Sequence, residues 1–306
     1  MDQVDVLIVG GQGTFAGGEY FSEYPDRELS LEYVMRVREK VEDFRYNVVI
    51  CSGGYTQKET PTLSEAESFL NIWTETMTKP VCPAVLDKVA LDSAENVIFG
   101  LMALRLKEPR AKLRRIGFFS QWRFKKPRMT GLAADLGIDR RFSFHGHAVA
   151  DQANAGEAAK AGELRQLESM RTRSDFLLRG KEWVEKRVQR YRHPTIPFVE
   201  RDVELRKAFP AVFAALDQLE RTTVEEIMSA SLDMDAHEAI QIVRQRKLLA
   251  LQAAFWEEVI QERHAFSLIA SELEPAQQSS PAGVPSRRGR SGVPRSSKNA
   301  RLNLAV

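Results

Sequence analysis

This sequence predicts a doubly wound α/β fold with a mostly parallel sheet, Rossmann-like in its order of elements, followed by an all-helical extension. Three observations carry the prediction. Val6-Leu7-Ile8-Val9 and Val48-Val49-Ile50-Cys51 are short, β-branched runs, stopped by Gly10-Gly11-Gln12-Gly13 and Ser52-Gly53-Gly54. Runs that are apolar at every position mark strands buried on both faces, as in parallel sheets. Strand and helix signals then alternate to about residue 148 and stop there.

The first strand spans roughly Val4–Val9. A helix follows near Leu29–Phe44, where Leu31, Val34, Val37 and Val41 recur at helical spacing. Asn47–Cys51 is the second strand. The next helix runs from about Leu63 to Met77, with Thr62 or Ser64 as its cap. Ala84–Leu91 is extended, and Asp92 or Ser93 opens a helix that reaches Leu106. Arg115–Ser120 is another strand. A helix over Pro127–Leu136 carries its proline in the first turn, and Arg141–His145 ends the alternation. These elements define a first domain over 1–150.

A helical extension is expected over 151–274. It contains a helix over Gly156–Arg192 and a stripe of Ile240, Val243, Leu248, Leu251, Phe255, Val259 and Ile260. The stripe suits packing on the α/β domain or pairing with a second copy in a homodimer. Residues 275–306 hold six basic residues and no acidic ones. A segment so poor in apolar residues does not offset its ordering entropy, so a disordered tail is expected. The rest of the chain is mildly acidic, which argues against a nucleic-acid surface. No apolar run approaches the length of a membrane span, and the acidic start lacks the pattern of a signal peptide. A cytoplasmic protein is expected. Its two cysteines, Cys51 and Cys82, have no metal-ligand spacing, and Cys51 reads as a buried apolar residue.

Ligands of parallel α/β sheets sit beyond the carboxyl ends of the strands. Four segments fall there. Gly10-Gly11-Gln12-Gly13 begins like a dinucleotide fingerprint, but a polar stretch from Gly17 to Arg27 delays the helix which that fingerprint needs. Backbone amides facing an anionic or polar ligand are the looser reading. Ser52-Gly53-Gly54 offers a hydroxyl and close backbone approach, and Glu65 and Glu67 follow in a helix's first turn, where complementing the dipole would account for both. Asp92-Ser93-Ala94-Glu95-Asn96 packs a carboxylate, a hydroxyl, a second carboxylate and an amide into one helix start. Glu95 fits a capping arrangement, whereas Asn96 is less easily explained by capping and reads as a ligand or network residue. Ser120 to Arg128 places Arg123, Lys125, Lys126 and Arg128 at a helix N-terminus, a poor place for cations unless an anion lies between. Arg128 is the best clamp for it, because its planar fork matches phosphate or carboxylate. His145-Gly146-His147 lacks a third metal ligand and reads as lining the same cleft.

In order and spacing, Gly10-Gly11, Ser52-Gly53-Gly54, Ser64-Glu65-Ala66-Glu67, Ser93-Ala94-Glu95-Asn96 and Pro127-Arg128 resemble the motifs of the YdcF/SanA/ElyC-like family, which are G-G, S-G-G, S-E-A, T-x-E-N and H-x-P-R. The resemblance covers residues 4–147, extending toward 193 through Glu182-Trp183. It implies a Rossmann-like sheet with a polar cleft, roles in envelope or lipid-carrier biology, and nucleotide-like ligands including S-adenosylmethionine. Ser52, Gly53, Glu65, Glu95, Asn96 and Arg128 carry over by position. The family threonine is Ser93 here, the serine before it is Ala90, and the family histidine aligns with Lys125, a poor acid or base near neutral pH.

The expected function is therefore binding of a phosphorylated or nucleotide-like small molecule. Gly10, Gly11, Ser52, Gly53, Gly54, Ser93, Asn96, Lys125 and Arg128 bind it, and Glu65 and Glu95 act as catalytic carboxylates of a hydrolase or transferase. The alternative is a non-catalytic binding or sensor module with the helical region as output.

Overall fold

A computed structural model describes residues 3–11, 13–16, 19–21, 27–57, 59–76, 82–147, 157, 159–164, 198–219 and 236–261. The strands are β1 (Gln3–Gly10), β2 (Thr14–Ala16), β3 (Glu19–Phe21), β4 (Val48–Ser52), β5 (Ala84–Asp87), β6 (Lys112–Ser120) and β7 (Phe142–Gly146). The helices are α1 (Arg27–Phe44), α2 (Glu65–Thr76), α3 (Ser93–Lys107), α4 (Lys126–Asp135), α5 (Phe198–Ala208), α6 (Pro210–Leu219) and α7 (Ala236–Phe255).

Five strands form one all-parallel sheet in the order β5-β4-β1-β6-β7. Helices alternate with them, so the fold is Rossmann-like. In β1 every residue after Gln3 is buried, as a central strand covered on both faces requires. One face carries α1 and α2 through Val34, Val37, Val41, Phe69 and Trp73. The other carries α3 and α4 through Val97, Leu101, Met102, Met129 and Leu132.

The C-terminal helices add a layer over α3 and α4. Leu205, Phe209, Phe213, Leu251, Phe255 and Val259 join the same core cluster, and Phe213 stacks on Phe99 at 5.7 Å. Polar contacts at helix ends fix this layer. The α4 C-terminus closes at Gly137 in a left-handed turn (φ 68°), with Ile138 N–H on Ala133 O and Gly137 N–H on Ala134 O. Gln252 and Trp256 donate to its last carbonyls, with Trp256 Nε1 3.0 Å from Leu136 O. Past Phe255 the helix widens into one π-helical turn, Trp256–Ile260. Buried Arg105 of α3 donates to the carbonyls of Val259 and Ile260 at its end. Glu258 accepts from Ala211 and Val212 N–H at the start of α6. The apolar stripe of α7 is thereby buried within the chain at Val243, Leu248, Leu251, Phe255, Val259 and Ile260.

One expectation about local structure changes. The stretch after Gly13 holds a β2–β3 hairpin. Gly13 has φ 145°, which turns the chain from β1 into a strand rather than a helix. The hairpin lies on α2 and the turn before it: Thr14 Oγ1 meets Thr60 Oγ1 of that turn at 2.5 Å, and Phe15 N–H donates to Ser68 Oγ of α2 at 2.7 Å. Of the helix expected over 156–192, the described positions 157 and 159–164 are helical and the rest lies outside the described residues. The basic tail, 275–306, lies outside them as well. Among the described residues no helix is long and apolar enough to cross a membrane.

Candidate functional site at the carboxyl edge of the sheet

The strand order reverses between β1 and β6, where doubly wound sheets open a crevice. Here Tyr33 of α1 bridges that point. Its hydroxyl lies 2.9 Å from Gly10 O and 3.2 Å from Phe119 O, with the one proton shared between the two strand ends. The polar groups gather beside it, over β1, β4 and β5.

Ser52 ends β4 and Asp87 ends β5, side by side in register. Ser52 Oγ donates to Asp87 Oδ2 at 2.6 Å and lies 3.0 Å from Asn96 Oδ1. Asp87 Oδ1 accepts from Val89 N–H. All three side chains are buried. Asn96 also closes on β1, because a Cβ on Gly10 would stand 3.1 Å from its Nδ2. Its place in the first turn of α3 thus serves the strand ends and not the helix cap, as its sequence position suggested.

Above this network the two glycine turns meet Glu65. A Cβ on Gly11 would fall within the Glu65 carboxylate, and one on Gly53 would stand 2.8 Å from Oε2 and 3.1 Å from Gly11 Cα. Glu65 Oε1 accepts from Thr56 Oγ1 at 2.5 Å. The two acids at the start of α2 therefore separate. Glu67 forms a reciprocal capping box with Ser64 and an ion pair with Lys88. Burial opposes its charge, but Lys88 and Ser64 prevail and hold its carboxyl below the usual range. Glu65 instead lies over the glycines.

The glycines contribute space and not free amides. Gly11 N–H donates to Ser52 O at 2.6 Å, Gly53 N–H to Asp87 O at 3.0 Å and Gly54 N–H to Ala90 O at 2.6 Å. These bonds tie the strand ends together. The amides of Gly11, Gly53 and Gly54 are therefore not bare, as an anion cradle would need, and the chain after Gly13 enters a strand and not a helix.

Glu95 is buried, with Oε2 on Leu91 N–H at 2.6 Å, while Asp92 caps the N–H groups of Ala94 and Glu95. The two carboxylates together hold the turn into α3. Ser93 Oγ, one turn before Asn96, lies 3.2 Å from Arg128 Nη2. Arg128 Nε donates to Glu163 Oε1 at 2.6 Å, and both side chains are 4% exposed. The anion implied by the basic start of α4 is therefore a carboxylate of the chain itself. Lys125 is half-buried in the short 3-10 turn Arg123–Lys125 ahead of α4.

The two histidines do not meet this cluster. His147 Nε2 lies 3.2 Å from Glu32 Oε1 of α1. His145 packs under the end of α1, with Nε2 2.8 Å from Tyr46 Oη and its ring 4.7 Å from that of Phe44. Burial, with Lys40 and Arg115 nearby, pushes its pKa down to about 4. Cys51 is buried, and burial pushes its thiol up to about 12, the opposite of what a nucleophile needs. Among the described residues no three His, Cys, Asp or Glu side chains gather as a metal site.

Sequence reasoning did not single out Asp87, Thr56, Tyr33 or Glu163. Asp87 had a signal, a carboxylate ending the apolar run Ala84-Val85-Leu86. The other three become visible only through contacts across the fold.

No protein-family model, curated protein or solved structure matches this chain.

Proposed function

We propose that this protein binds a phosphorylated or nucleotide-like small molecule at the carboxyl edge of its sheet, in the manner of the YdcF-like family its motifs resemble, and hydrolyses it or transfers a group from it. The observation that supports this is the buried network of Ser52, Asp87 and Asn96 from three separate segments, with Asn96 against Gly10 and Glu65 against Gly11 and Gly53 on the neighbouring turns. A stable core does not need a buried polar network of this size at strand ends, and ligands of such folds occupy that position. Glu65 and Asp87 are acceptors suited to ribose-type hydroxyls. Glu65 is the carboxylate for acid–base work, while Glu95 keeps the α3 turn. S-adenosylmethionine belongs in the test set by family resemblance. The cytosol suits two reduced, buried thiols.

The test is calorimetric titration with ATP, S-adenosylmethionine and ribose 5-phosphate on wild type and Asn96→Ala, followed by product analysis with Glu65→Gln. Saturable binding that weakens in Asn96→Ala is expected, with turnover lost in Glu65→Gln while binding persists. Binding that Asn96→Ala leaves unchanged sinks the site. A non-catalytic binding module is the second reading. It is favoured by Glu95 holding the Leu91 amide and by Lys125 where the family has a histidine. Binding without turnover in wild type selects it.

A further inference from the structure

The Arg128–Glu163 pair stands out because it is buried, lies beside the proposed site and crosses between parts of the chain. Arg128 belongs to the first turn of α4, whereas Glu163 comes from the helical positions 159–164 beyond the last strand. Both side chains are 4% exposed. Removing two charges from water costs several kcal/mol per ion, and apolar residues of similar volume often stabilise a fold as well or better. Stability alone is therefore a weak reason for this pair.

Its position supplies a stronger one. Arg128 also reaches Ser93 Oγ, and Ser93 lies one helical turn from Asn96, whose amide holds Ser52. The guanidinium thus stands one step along α3 from the Ser52–Asp87–Asn96 network. A guanidinium fork takes a ligand phosphate or carboxylate through the same planar N–H···O geometry that Glu163 offers it here.

We propose that Arg128 is the anion subsite of this cleft and that Glu163 is its internal occupant, a carboxylate that a ligand phosphate must displace. The inference rests on the ligand position proposed above. It makes Glu163 the residue that sets charge selectivity. A ligand with no anionic group at this point meets no competitor, whereas a phosphorylated one binds only by breaking the pair.

Inorganic phosphate is the probe, titrated against thermal unfolding at constant ionic strength in wild type, Glu163→Gln and the Arg128→Gln/Glu163→Gln double variant. Glu163→Gln removes the competing charge and keeps the shape. Its half-saturating phosphate concentration should be about tenfold or more below that of wild type, as expected for an added charge-assisted hydrogen-bonded pair. The gain should vanish in the double variant. Glu163→Asp, which withdraws the carboxylate by one methylene, should show a smaller gain and is read instead if Glu163→Gln does not melt cooperatively. No gain in the variant read, or a gain that survives loss of Arg128, overturns the proposal. A wild type that binds a nucleotide while Glu163→Gln gains nothing removes this inference and keeps the function. A gain for phosphate while no nucleotide binds keeps the subsite and removes the nucleotide reading.

Discussion

Ser52 Oγ donates to Asp87 Oδ2 at 2.6 Å, joining the last residues of two adjacent parallel strands through their side chains as well as their backbones. The hydroxyl is also within reach of Asn96, so one proton donor organises three elements. Ser52→Ala leaves a buried carboxylate short of a donor. It should cost about 1–3 kcal/mol of stability in urea denaturation at neutral pH. A loss of only a few tenths would mean that the network is not coupled in this way.

Gly11 is required by Glu65 rather than by its own dihedral angles. The nearest atoms to an added Cβ all belong to the Glu65 side chain. Gly11→Ala should destabilise the fold by about 1–3 kcal/mol through overpacking. Glu65→Ala in the same chain should recover part of the loss, since it clears the carboxylate but leaves its Cβ. A double-mutant cycle measures this coupling, and strict additivity would contradict the contact.

Acid should weaken the protein in two separable windows. His145 is held neutral, with its pKa near 4 against 6.5 when unperturbed. The unfolded chain takes up this proton first, so stability falls as pH drops from about 6.5 toward 4, by about 3 kcal/mol at most. His145→Gln should flatten that window. Asp5 behaves as a paired carboxylate. The hydrogen bond from Arg114 holds its pKa below the usual value, with burial opposing and Arg115 assisting. Its contribution is complete above the unfolded carboxylate pKa and is lost as pH falls through the lower native value. Asp5→Asn should therefore change the profile below about pH 4 and leave the His145 window intact. Denaturation midpoints across pH 2–8 read both.

Arg105 is the clasp between the sheet domain and the C-terminal helices. Its guanidinium serves Val259 O, Ile260 O and Pro109 O, and burial lowers its pKa. Arg105→Met keeps the bulk and removes the donors. The expected loss is about 1–3 kcal/mol, together with faster amide exchange at 256–261. Unchanged exchange there would show that packing of Phe255 and Val259 holds the turn unaided.

The sequence by itself determined the alternation of elements. Apolar runs and helical spacing locate β1, β4, β6 and the helices between them because burial on both faces permits few residue types. It also located the glycine turns and polar helix starts that end those runs, where the ligand site is proposed. It left the roles of Glu65, Glu67 and Glu95 open, because a carboxylate in a first turn looks the same whether it caps or faces a cleft. Only tertiary structure separated them: Glu67 and Glu95 close on their own helix starts, while Glu65 lies over Gly11 and Gly53. The hairpin after Gly13 escaped because a polar stretch carries no periodicity, and its place comes from contacts to Thr60 and Ser68. The same holds for the paired glycine turns. Local pattern gave them a location, but packing decided that Gly11 and Gly53 make room for the Glu65 carboxylate, while the Gly11, Gly53 and Gly54 amides bind the carbonyls of Ser52, Asp87 and Ala90. The partner of Arg128 lies 35 residues away at Glu163, a distance at which only folding brings two charges together.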